Sequence, residues 1–86
     1  MSDERVAINV DEYWPEDADD DEGIVINWFV REGGAVEEGD VLCEIQVEKV
    51  DVDILAPTSG TLTEIVVPED GEFGHGDVLA YIDEHD

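Results

Sequence analysis

The chain repeats itself. Residues 23–45 read GIVINWFVREGGAVEEGDVLCEI and residues 60–82 read GTLTEIVVPEDGEFGHGDVLAYI, an offset of 37 positions. Nine of the 23 ungapped positions are identical, Gly23/Gly60, Val30/Val67, Glu32/Glu69, Gly34/Gly71, Gly39/Gly76, Asp40/Asp77, Val41/Val78, Leu42/Leu79 and Ile45/Ile82. Chance alone would give about one or two. Each copy reads as an apolar strand, a Gly-containing turn, a short hydrophobic touch at Val36 or Phe73, a Gly-Asp turn and a second strand. Neither unit can bury its apolar face alone, so the two are expected to pack together with approximate two-fold symmetry. The 86 residues are expected to form one domain, with its core over about residues 6–83.

The apolar residues agree with strands. Of 36 in the set AVILMFWYC, 19 are Val or Ile and only four are Leu, a β-rich balance. The formal net charge of −23 would on its own point to disorder, but a normal globular apolar fraction opposes it. A small all-β protein is the expectation.

The charge excludes several functions. Phosphate-directed nucleic-acid binding needs clustered cations, and the chain has only Arg5, Arg31 and Lys49. An anionic membrane would repel it for the same reason. No apolar run exceeds five residues, the longest being Val78–Ile82, so no helix spans a bilayer. The segment Met1–Arg5 lacks the charged-then-apolar pattern of a secretion signal, and the single cysteine, Cys43, cannot form an internal disulfide. On both counts the chain is expected in the cytoplasm. Acids occur along the whole length and not in one block, which favours a salt-loving cell over a local docking surface for a basic partner.

Ahead of the first copy, Val6–Val10 reads as a strand, and residues 11–22 follow with eight acids in twelve positions. They are expected to form a solvated loop. A calcium loop on Asp17, Asp19 and Asp21 fails on spacing, because an EF-hand then needs Gly at 22 and Glu at 28, where Glu22 and Trp28 stand.

Between the copies lies VLCEIQVEKVDVDILAP, residues 41–57. With Glu48-Lys49 as a two-residue tip, Val47 faces Val50, Ile45 faces Val52, Cys43 faces Ile54 and Val41 faces Ala56. All four pairs are apolar and share one face, while Gln46/Asp51 and Glu44/Asp53 take the other. A slip of one residue would send Asp51 and Asp53 into the core. With no Gly or Asn at the tip, an ordinary type I turn is expected. Lys49 then stands at the apex of the hairpin, and this reading sets it on the pseudo-symmetry axis. It is the only lysine in the chain. A primary amine on a flexible stem is a good target for acylation, so covalent attachment is the leading idea.

These residues resemble the biotinyl/lipoyl attachment domain, most closely the lipoyl domain of the acyltransferase components of 2-oxo acid dehydrogenase complexes. The resemblance covers roughly residues 6–83 and rests on Gly39-Asp40-Val41-Leu42, Gln46-Val47-Glu48-Lys49-Val50, Ala56-Pro57-Thr58-Ser59-Gly60 and Gly76-Asp77-Val78-Leu79. It implies a flattened barrel-sandwich of two four-stranded antiparallel sheets with pseudo-two-fold symmetry. It also implies lipoic acid in amide linkage to Lys49, with Glu48 and Val50 as flanking recognition residues. The domain would be a carrier and not an enzyme, monomeric and, as it reads, free-standing. Its implied partners are a lipoate ligase or lipoyl transferase, a thiamin-dependent 2-oxo acid decarboxylase, an acyltransferase and dihydrolipoamide dehydrogenase. The family usually has Glu-Thr-Asp before its lysine, where this chain has Gln46-Val47-Glu48. Biotin carriers flank theirs with methionine, unlike Glu48 and Val50. The alternatives are a biotin carboxyl carrier and an unmodified acidic interaction module of the same fold.

Other candidates read as structural. Cys43 faces Ile54 and has Ala80 as its repeat counterpart, the setting of a small buried hydrophobe. His75 in its Gly-flanked turn and His85 in the tail have no Cys or second His at ligand spacing. The glycines of residues 71–76 are not followed by a helix pattern, so they are not a phosphate loop. Trp28 and Phe29 straddle the two faces of a strand, and at least one is expected in the core.

The charge density generates a first test. A folded chain of this length has a radius of gyration near ~12 Å, comparable to the ~10 Å screening length at 0.1 M salt and far above the ~3 Å at 1 M. Circular-dichroism melts should therefore shift to higher temperature between 0.05 M and 2 M KCl. Coincident melts would show that self-repulsion among the carboxylates does not limit stability.

Overall fold

The computed structural model describes residues 4–14 and 22–84. Eight strands form: β1 (Glu4–Asn9), β2 (Glu22–Trp28), β3 (Ala35–Val36), β4 (Val41–Val47), β5 (Val50–Leu55), β6 (Gly60–Ile65), β7 (Glu72–Gly74) and β8 (Val78–Glu84). They make two antiparallel four-stranded sheets, ordered β1-β8-β6-β3 and β5-β4-β2-β7. The expected all-β architecture is therefore present, as two facing sheets without barrel closure.

The repeat is visible strand by strand. β2 pairs with β4 through Gly23↔Val47, Ile24↔Gln46, Val25↔Ile45, Asn27↔Glu44 and Trp28↔Cys43. Adding 37 to each number gives the β6–β8 register, Gly60↔Glu84, Thr61↔Asp83, Leu62↔Ile82, Glu64↔Tyr81 and Ile65↔Ala80, with the same bulge in it. The short strands cross over. β3, from the first copy, pairs with β6 of the second, and β7 of the second pairs with β2 of the first. Four further backbone hydrogen bonds repeat this exchange: Val25 N donates to Gly71 O and Asp70 N to Val25 O, while Leu62 N donates to Gly34 O and Gly33 N to Leu62 O. Gly33 and its counterpart Asp70 both hold a left-handed backbone, φ 87° and 68°. Glycine adopts it freely, and aspartate is among the side chains that tolerate it best.

Sixteen buried apolar residues form one core between the sheets, among them Leu42, Ile45, Ile54, Leu62, Leu79 and Ile82 with no measurable exposure. No polar or charged residue is buried among the described residues. The acids therefore lie outside, where water solvates them.

The structure departs from two expectations. Val41 pairs with Leu55 and not with Ala56, because the β4–β5 register shifts between Val41 and Cys43. The cause is packing: Leu42 and Cys43 are adjacent and both fully buried, which strict alternation forbids and a bulge permits. Leu79 and Ala80 repeat the arrangement in β8, with a shift opposite Ile8/Asn9 of β1. Nor is residue 11–22 loop throughout. Asp11–Tyr13 form a 3-10 turn, Tyr13 and Trp14 pack against the core, and Glu22 already belongs to β2. The aromatic pair outweighs the surrounding charge by removing ring surface from water. Asp17, Asp19 and Asp21 lie outside the described residues.

Gly60 is fixed by close approach. A Cβ there would meet the backbone oxygen of Asp83 at 2.0 Å, whereas one at Gly76 would find no atom within 4 Å. Urea unfolding at fixed KCl should show Gly60→Ala destabilised by about 2 kcal/mol or more and Gly76→Ala changed by less than about 0.5 kcal/mol. Equal effects at the two positions would contradict the tight β6–β8 contact.

Candidate functional site

The β4–β5 hairpin carries the site. Its rungs are Val47↔Val50, Gln46↔Asp51, Ile45↔Val52, Glu44↔Asp53 and Cys43↔Ile54, as the apolar pattern predicts down to Cys43. Val47, Ile45, Cys43 and Ile54 are fully buried, and Val52 packs on the core from its margin. Val50 lies 46% exposed on the edge strand, so the shared apolar face opens to water at the tip. On the other face Gln46 Nε2 donates to Asp51 Oδ1 at 3.1 Å. That bond clips the two strands together one rung below the turn.

Glu48 and Lys49 form the two-residue tip, both exposed. Among the described residues, no ion pair or hydrogen bond holds the Lys49 ammonium. The turn is not type I. Glu48 has φ +58° and Lys49 is not in the positive-φ set. Positive φ at the first corner alone is the sign pattern of a type II′ turn, whose twist matches that of the flanking strands. Residue preference at the tip points the other way, and the strand twist decides.

Lys49 also stands off the pseudo-symmetry axis. The 37-residue operation carries Val47 to Glu84, whose strand partner is Glu4, just as Val47 is partnered by Val50. The lysine turn thus corresponds to the end of the sheet where β1 begins and β8 finishes. A residue on the axis would map to itself, and Lys49 does not.

The remaining candidates fall into place as packing. Burial pushes the Cys43 thiol up to about 12, so at neutral pH it is a protonated hydrophobe. Trp28 packs on the core and its Nε1 donates to Val67 O at 2.8 Å, while Phe29 is 54% exposed. His75 lies 3.6 Å from an Asp11 carboxylate oxygen and its ring is 4.8 Å from that of Trp14. Trp14 in turn meets Phe73 edge-on at 6.2 Å. The histidine therefore docks the start of the acidic segment onto the turn after β7, a contact invisible in the sequence because the partners lie 64 positions apart. His85 lies outside the described residues. A shallow groove of about 270 Å³ beside the tip is lined by Glu22, Gly23, Ile24, Gln46, Glu48 and Glu72. Lys49 itself is exposed at the tip.

Comparison with known proteins agrees with this geometry. A family model described as "Biotin-requiring enzyme", covering biotin and lipoyl attachment domains, matches residues 17–82. The chain is 45% identical over 65 residues to the dihydrolipoyllysine-residue acetyltransferase component of pyruvate dehydrogenase complex from Staphylococcus aureus (strain Mu50 / ATCC 700699). That alignment takes in 76% of this chain and 15% of the relative. The Staphylococcus epidermidis protein (strain ATCC 12228 / FDA PCI 1200) of the same description is 43% identical over the same coverage. The chain thus spans about 15% of the length of these curated relatives. Among solved structures, the lipoyl domain of the 2-oxoglutarate dehydrogenase complex from Azotobacter vinelandii superposes with a TM-score of 0.74 at 26% identity, covering 95% of this chain and 98% of that one. A single-chain, multi-domain long-chain acyl-CoA carboxylase gives 0.76 at 18% identity over 95% of this chain and 7% of its own, a likeness of fold alone. With its repeat, its two interlocked sheets and its lysine-tipped hairpin, the chain belongs to the biotin/lipoyl attachment family and is similar to the lipoyl domain of a 2-oxo acid dehydrogenase complex and to acyltransferase components of such complexes.

Proposed function

We propose that this domain is a lipoyl carrier, with lipoic acid joined through an amide to Lys49. One observation carries the reading: the only lysine of the chain sits exposed at the tip of the β4–β5 hairpin, in a family defined by cofactor attachment. The residues fit such a group. The amine is free of protein partners among the described residues, and the buried Val47 beneath it anchors the turn. An acidic groove lies beside Glu48 at the tip. A dithiolane, when attached, accepts an acyl group and two electrons and passes them on.

The chain's own part in that chemistry is presentation. The rigid hairpin holds the amine clear of the sheets, and Glu48 and Val50 are the side chains an attaching enzyme meets beside it. A tethered acyl group then reaches successive active sites as an intramolecular reactant, which raises its effective concentration. The names of the relatives support service in a 2-oxo acid dehydrogenase complex. A lipoate ligase or lipoyl transferase would modify the domain. A thiamin-dependent decarboxylase, an acyltransferase and dihydrolipoamide dehydrogenase would use it, in the cytoplasm. No residue of the chain is assigned a catalytic role.

Expression in cells supplied with lipoate, followed by intact and tandem mass spectrometry, tests this. The expected result is a lipoyl increment on Lys49, absent from Lys49→Arg, with both proteins folded. A biotinyl increment would make it a biotin carrier, and unmodified protein would leave an acidic interaction module of the same fold.

A further inference from the structure

The turn that carries Lys49 has one feature that neither its amino-acid preferences nor side-chain contacts account for. Glu48 holds φ +58°. Only two non-glycine residues have positive φ among the described residues, and the other, Asp70, is of a type that tolerates the left-handed region. Glutamate is not, because its Cβ crowds the following carbonyl. Nor does a side-chain hydrogen bond offset the cost, since the Glu48 carboxylate has no hydrogen-bond or ion-pair partner among the described residues.

The register imposes this conformation. Val47 is fully buried opposite Val50, and Gln46 is bonded to Asp51 on the outer face. A loop one residue longer would slip β4 by one position and send Gln46 into the core in place of Val47. With Val47 paired to Val50 the connection closes in two residues, and a two-residue turn matching the strand twist needs positive φ at its first corner. That corner is Glu48. A type I tip would splay the strands and swing the Cα–Cβ direction of the second corner residue, which is Lys49.

We propose that Glu48 is a positioning residue whose left-handed backbone, and not its carboxylate, sets the direction in which Lys49 leaves the hairpin. The inference rests on the carrier reading for its consequence, since an attaching enzyme must find the amine in one direction. It stands apart from that reading in its geometry.

Three variants separate backbone from charge. Glu48→Gly, Glu48→Gln and Glu48→Val all lose the carboxylate but differ in their tolerance of positive φ, from glycine, which has none of the cost, to β-branched valine, which has most. Transfer of lipoate to Lys49 by a lipoate ligase should rank Gly, then Gln, then Val, with about tenfold or more in kcat/KM between the first and last. Melting midpoints taken in the same KCl report whether the core is intact, and residual dipolar couplings report the orientation of the Lys49 Cα–Hα bond. That orientation should match the unsubstituted protein in Glu48→Gly and depart from it in Glu48→Val. Equal kcat/KM in all three variants, or an unchanged Lys49 orientation in Glu48→Val, would overturn the proposal. If the unsubstituted protein accepts no lipoate, the carrier reading fails, and the couplings alone still decide whether Glu48 directs Lys49.

Discussion

The structure depends on an exchange. Each repeat lends its short strand to the other repeat's sheet, β3 to β6 and β7 to β2, and backbone hydrogen bonds from Val25 to Gly71 and from Leu62 to Gly34 repeat the link. Without it, each copy would be a curved ribbon with one apolar face in water. With it, Leu42, Ile45, Leu62, Leu79 and Ile82 meet in one core. A domain this small has only a few kcal/mol of net stability, so each unit needs the surface the other covers. The β4–β5 hairpin inherits its rigidity from this. β4 is an inner strand, held by β5 on one side and β2 on the other, and Val47 at its end is sealed from water.

The acidic exterior follows from the same division. The core takes apolar side chains alone among the described residues, so the carboxylates face solvent. Arg5 bonds Glu64 and lies 4.0 Å over the Tyr81 ring, which uses one of the three cations at the β1–β8–β6 face. Lys49 is left without such a partner among the described residues. It stands on the two-residue tip, past the last strand pair, Val47↔Val50.

Much of this was legible in the residues. The hairpin register down to Cys43 follows from parity, since a slip of one residue puts Asp51 and Asp53 in the core. The pseudo-symmetric pairing follows from the 37-residue repeat. What parity could not reveal is where it breaks. Leu42/Cys43 and Leu79/Ala80 each bury two neighbours, and the bulges that permit this answer to packing across the sandwich. The exchange of β3 and β7 was hidden for a related reason, because strands of two and three residues carry no period of their own. Tyr13 and Trp14 were masked by the acids around them, and their dock against Phe73 and His75 is a long-range contact. At the site, the lysine and its tip position were readable. The turn type was not, because Glu48 adopts a conformation that its side chain disfavours and the strand twist demands.

If the exchange holds the molecule together, the two copies form one cooperative unit, and native-state hydrogen exchange measures that directly. The amides of Val25, Ile45, Leu62 and Ile82 sample both copies and the bonds that join them. They should exchange with one common free energy, equal to that of global unfolding and with the same dependence on denaturant. If the Leu62 and Ile82 amides open at markedly lower free energy while Val25 and Ile45 stay protected, or the reverse, one copy folds without the other. The interlock would then not be what holds the hairpin and its lysine in place.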